Sequence, residues 1–202
     1  MRENHPDSAT PYNNSDKDEL DEALNYYRES LAISILTYGK NHPSLAVTYN
    51  NMANVYSDKE DLYNALEYYR KSLTIQLHNM GENHPELATS YDNIANVYNE
   101  KGELDHALEY HHKPLTIKLN SLGENHPDVA ESLHNMGVLY IEKSQLDKAE
   151  DVLNKSVRIK LKLVGENHPI TAMSNASLGQ VYAMQGHIDR AYKCHHKVLA
   201  IY

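Results

Sequence analysis

The 202-residue chain contains no tryptophan and no phenylalanine, a single cysteine (Cys194), eight glycines and seven prolines. Each scarcity excludes something. One cysteine cannot close an internal disulfide, which fits a reducing, cytoplasmic setting. No run approaches the roughly 20 apolar residues that span a bilayer, and Met1–Pro6 has no apolar stretch of the signal-peptide kind. The glycines are scattered, so no glycine-rich phosphate cradle and no Gly-x-Ser-x-Gly elbow is present. Basic residues are outnumbered, with a formal net charge of −9. Nucleic acid and anionic membrane are therefore poor partners, because both bind through clustered Lys and Arg. The Asn-x-Ser matches at Asn13, Asn154 and Asn175 are read as chance.

What is abundant is tyrosine, at 16, and a period. Asn-His-Pro recurs with its histidine at His42, His84, His126 and His168, each step 42 residues. Gly39, Gly81, Gly123 and Gly165 share that step, as do Tyr56, Tyr98, Tyr140 and Tyr182, and Ala23, Ala65, Ala107, Ala149 and Ala191. Several residue types locked to one period define a repeat array.

Each repeat reads as helix, turn, helix. From Pro43, a residue suited to a first helical position, Leu45, Ala46, Tyr49, Met52, Ala53 and Tyr56 recur at three- and four-residue steps. Polar Ser57–Asp61 interrupts, and Leu62, Ala65, Leu66, Tyr69, Leu73 and Leu77 mark a second amphipathic helix ending at Gly81. Neither helix buries its stripe alone, so stacking must close the core. The expectation is an all-α solenoid of nine helices: a lone helix over about 17–36, then pairs over about 43–80, 85–122, 127–164 and 169–202. Small residues at Ala53, Ala95, Gly137 and Gly179 share one register where helices approach.

The pattern is damaged in places. His5 to His42 is 37 residues, and the first repeat lacks a block equivalent to Met52–Tyr56 and carries Pro11. Residues 1–16 are expected to be irregular. Pro114 falls mid-helix in the register of Ser30, Ser72 and Ser156, where proline breaks a hydrogen bond. The last helix reaches Tyr202 with no polar cap, which suggests a fragment of a longer protein or a decayed copy.

The strings Gly123-Glu-Asn-His-Pro-Asp-Val-Ala130, Tyr49-Asn-Asn-Met-Ala-Asn-Val-Tyr56 and Leu104-Asp-His-Ala-Leu-Glu-Tyr110 resemble kinesin light chain tetratricopeptide repeats. The resemblance covers about 17–202 and implies a right-handed superhelix whose first helices line a concave groove for extended peptide segments. It implies that groove asparagines hold the peptide main chain, here Asn51, Asn93 and Asn135, with Asn50, Asn54, Asp92, Asn96 and His134 beside them. Ser177 breaks the series. An amide offers both donor and acceptor, so it can pair with any peptide backbone. Asn is also a poor helix former, so its clustering there asks for a role; bridging between repeats is the alternative role.

Family members bind tryptophan-containing acidic peptides through basic groove residues. Here Pro43–Ser57, Pro85–Glu100 and Pro127–Glu142 contain neither Lys nor Arg, while Asp92, Glu100, Glu131 and Glu142 are acidic. Basic residues such as Lys118, Lys155 and Lys160 lie on second helices. A neutral or basic segment is thus the expected ligand. The family's motor-joining heptad segment is absent. The alternatives are end-to-end self-association, or regulation of an effector domain outside this sequence.

Of 13 histidines, four are the periodic turn residues, expected at helix starts. His111 and His195 share the core register of Tyr69 and Leu153; His112 and His196 share the register of Arg70 and should face solvent. His-Glu-x-x-His and Cys-x-x-Cys are missing, and repeated acids lie whole repeats apart, so neither metal, cofactor nor catalytic role is expected.

Overall fold

The computed structural model describes residues 14–199, with side chains from Asp18 onward. Among these there are nine helices and no strand: α1 (Asn14–Tyr38), α2 (Pro43–Asp58), α3 (Leu62–Met80), α4 (Leu87–Glu100), α5 (Leu104–Leu122), α6 (Pro127–Glu142), α7 (Leu146–Val164), α8 (Pro169–Met184) and α9 (Ile188–Leu199). The fold is an all-α helical-repeat solenoid. Of the stretch expected to be irregular, 1–13 lies outside the described residues, and α1 begins at Asn14.

The helix boundaries have local causes. The Nδ1 atoms of His42, His126 and His168 accept from the backbone N–H two residues on, at 3.3, 3.2 and 3.2 Å. This satisfies a donor that the first turn leaves open. His84 caps Glu86 in the same way at 3.3 Å, although α4 proper starts two residues later than its proline. Gly81, Gly123 and Gly165 close their helices at φ between 79° and 82°, a conformation a Cβ disfavours.

The chain divides into two compact units, Met1–Ile75 and Gln76–Tyr202. In the first, Leu45, Ala46 and Ile75 form a core with Leu31, Ile35 and Tyr49. Ser72 in α3 donates to the Ala46 carbonyl at 2.8 Å, and Arg28 in α1 donates to the Tyr56 hydroxyl at 3.0 Å.

In the second unit, α4 to α9 pack in sequence. Val129, Ala130, Leu133 and Ile159 form a core joined by Leu115 and Val152. Pro114 is buried within an α5 that runs unbroken through it. His111 is 2 % exposed and bonded to Asp92 at 3.1 Å, whereas His195, expected in the core, is exposed. No described element follows α9 to cover that face, which also exposes Ile188, Tyr192 and Leu199.

Candidate functional site

The groove residues expected from sequence divide between the two units. In the first, Asn50 and Asn51 are half-buried on α2 and Asn54 is exposed. They flank the fully buried Met52 and Ala53. The Asn54 side-chain oxygen accepts from the Tyr69 hydroxyl at 2.5 Å, so part of its capacity is used inside the fold.

In the second unit, Asn93 is half-buried and Asn96 exposed on α4. Asp92 beside them is the centre of a charged cluster. It accepts from His111 Nδ1 at 3.1 Å and from Lys118 Nζ at 2.7 Å. Lys118 also donates to the Ser132 hydroxyl at 2.9 Å. Burial pushes the Asp92 carboxyl upward, but the bonds from His111 and Lys118 outweigh it and hold the group below its ordinary range.

One repeat on, the same positions are occupied differently. Lys160 replaces Lys118 and donates to Ser174, the equivalent of Ser132, at 2.8 Å. His134 replaces Asp92, its Nδ1 standing 3.1 Å from that Ser174 hydroxyl. The hydroxyl accepts from Lys160 and also stands 3.3 Å from the Ser156 hydroxyl, whose own proton goes to the Ala130 carbonyl. Burial, and then the Lys160 charge, pull the His134 pKa down to about 4. The imidazole is therefore neutral at pH 7. Burial likewise lowers the Lys160 amine, opposed by the charge of Glu131.

These groups border a cleft of about 300 Å³. Glu131, His134, Asn135 and Lys160 supply its polar wall, and Leu163, Ile170 and Met173 much of its apolar wall. Asn135 is exposed and reaches the cleft. A small apolar hollow with a few convergent polar groups is the usual form of a side-chain or ligand pocket.

Sequence reading placed Lys118 and Lys160 on second helices, apart from the groove residues of the first. The structure brings Lys160 into one cleft with His134 and Asn135, and Lys118 onto Asp92. A signal existed. Leu153, Ser156, Val157 and Lys160 share one helical stripe, and all four are buried. Among the described residues no three His, Cys, Asp or Glu side chains converge as metal ligands, and no helix is long and apolar enough to cross a membrane.

Stacked helical hairpins with polar groups lining a cleft define a protein–protein interaction repeat module. The chain belongs to the tetratricopeptide repeat family, whose profile matches residues 14–77, 44–120 and 93–162. Comparison with curated proteins gives no match.

Solved structures share the fold. The nearly identical TPR-like repeats of a Podosopora anserina protein described as a kinesin light chain superpose with a TM-score of 0.79 at 24% identity, covering 92% of this chain and 88% of that one. BtubC (BKLC) from P. vanneervenii gives 0.72 at 22% identity, over 90% and 73% of the two chains. The apo form of RapI gives 0.77 at 23% identity, over 92% of this chain and 49% of that one. The fold is thus that of kinesin light chain-like repeats.

Proposed function

We propose that the chain is a cytoplasmic, non-catalytic adaptor that holds extended segments of partner proteins against the first helices of its repeats. Asn51, Asn93 and Asn135 pair with the segment's main chain, with Asn50, Asn54, Asn96 and His134 beside them. The observation that carries this reading is their common register. Each precedes a buried apolar anchor (Met52, Ile94, Met136), and none of the three is itself buried. Each amide bond contributes only about 0.5–1.5 kcal/mol net, so binding is modest and reversible.

The lack of Lys and Arg on these helices, with the −9 net charge, supports a segment that is neutral or basic over most of its length. Matched peptides bearing Lys or Glu, titrated against the chain and an Asn51/Asn93/Asn135 triple-alanine variant, test this. Loss of binding in the variant is expected; an unchanged affinity, or tighter binding of the Glu-rich peptide, overturns it.

A second reading rests on the exposed Ile188, Tyr192 and Leu199 of α9, which suit end-to-end association. Light scattering should then show an oligomer that Ile188→Glu dissociates.

A further inference from the structure

Helix α1 has the sequence of a second helix. Its Ala23, Tyr26, Ser30 and Ile33 stand 42 residues before Ala65, Tyr68, Ser72 and Ile75 of α3. In α3 that stripe holds the first helix of its own repeat, α2. Tyr68 stacks on Tyr56 with ring centroids 5.3 Å apart, Ser72 donates to the Ala46 carbonyl, and Ile75 packs on Leu45 and Ala46. Later repeats do the same: Tyr110 lies 5.4 Å from Tyr98, and Ile117 and Ile159 are buried. On α1 the stripe is open. Tyr26 is 70 % exposed and Ile33 66 %, while Leu31 and Ile35, on another side of α1, pack on the α2 core.

The rim of the stripe says what fits it. Glu29 occupies the register of Lys71, Lys113 and Lys155. Lys71 Nζ stands 4.6 Å from the Tyr68 ring centroid and 5.9 Å from that of Tyr49 on α2, so this position meets a first-helix tyrosine with a cation. On α1 it carries an exposed carboxylate, with exposed Glu22 two turns before it. A carboxylate disfavours the negative face of a ring and attracts a cation. We propose that the stripe docks a helix of another protein, which completes the repeat in trans. That helix has the apolar spacing of a first helix, and a Lys or Arg where α2 has Tyr49. Tyr26 and Ile33 lie against its apolar side, Ser30 donates to one of its carbonyls, and Glu29 pairs with its cation. A second copy of the chain does not match, because α2, α4, α6 and α8 contain neither Lys nor Arg.

The experiment uses the full chain and dye-labelled peptides that copy Pro43–Asp58, held helical by a lactam bridge on the outward face to cut the cost of ordering. One carries Tyr49→Lys, one Tyr49→Glu, and a third is the Lys peptide scrambled. Anisotropy gives affinity, and the Ile33 methyl resonance gives location. The Lys peptide should shift Ile33 and bind roughly five- to tenfold tighter than the Glu peptide at low salt. Glu29→Lys in the chain should invert that order. Ile33→Ser should weaken the Lys peptide by at least about tenfold. Glu29 and Ile33 are both exposed, so these variants alter the surface and spare the core.

Equal binding of the Lys and scrambled peptides, an unmoved Ile33 resonance, or a Lys preference that survives Glu29→Lys overturns the proposal. So does light scattering that shows the chain alone to be an oligomer dissociated by Ile33→Ser, since a second copy would then fill the stripe. The Asn51/Asn93/Asn135 triple-alanine variant should bind the Lys peptide as the unaltered chain does. Loss of binding there would put the peptide in the asparagine groove and reject the α1 stripe.

Discussion

The Ser156 hydroxyl donates to the Ala130 carbonyl at 2.6 Å, both within the second unit. Ser72 makes the same bond to Ala46 at 2.8 Å. Both bonds join the second helix of a repeat to its first, 26 residues back. In the repeat between them the donor position is Pro114, which has neither hydroxyl nor backbone N–H. Pro114→Ser should restore the intrahelical bond and reach the Ala88 carbonyl by register. A gain of about 2–4 kcal/mol is expected, read as a higher urea midpoint. No gain would mean that α5 has adapted fully to its proline.

Gly137 packs directly on Leu153. A Cβ built at Gly137 would stand 2.5 Å from Leu153 Cγ and 2.7 Å from its Cδ2. The clash involves a branch point rather than a flexible tip. Gly137→Ala should therefore destabilise by about 1–3 kcal/mol through overpacking, although Ala53 and Ala95 hold the same register. Thermal unfolding of Gly137→Ala beside Gly137→Ala/Leu153→Ala tests the cause: the double variant should lose less than the two single losses combined.

Stability should fall on mild acidification partly through His134. Its folded pKa is about 4 against an unfolded 6.5. Between those values the unfolded chain takes up a proton that the folded chain refuses, so stability declines as pH drops through that window. Denaturant midpoints measured across the window should fall less steeply for His134→Asn than for the unaltered chain. Asp92, held below its ordinary value, works at lower pH: its contribution is present above the usual carboxylate range and is lost as pH falls through the depressed folded value.

Ser144 occupies a left-handed turn position at φ 55°, and the equivalent residues are Glu60 at 59°, Gly102 at 72° and Gly186 at 81°. A side chain there is strained by roughly 1–2 kcal/mol. Ser144→Gly should stabilise by up to about 1 kcal/mol after the extra unfolded-state entropy of glycine is set against that relief. Gly102→Ala should do the reverse. Chemical denaturation of the pair measures both signs.

Much of this architecture was legible without coordinates. The 42-residue period, the turn prolines and glycines, and the apolar three- and four-residue spacing are local properties, because a helix repeats its faces every 3.6 residues. The placing of the turn histidines at helix starts follows from the same locality: a cap reaches only to its own first turn. His111 was readable as a core histidine, but its partner Asp92, 19 residues earlier, was not. His195 shows the limit of register alone. It shares the position of His111 yet is exposed, since burial depends on whether another helix lies over it.

The repeat, its helices and their caps were determined by sequence alone, through interactions spanning a single turn. The charge state of the cleft was decided by tertiary packing. Lys118 and Lys160 are equivalent in sequence, but their partners come from helices 26 and 14 residues away. Coulombic pairing acts across space and weakens with water between the charges. Only the packed helices show that one lysine meets a carboxylate and the other a serine hydroxyl beside an open hollow.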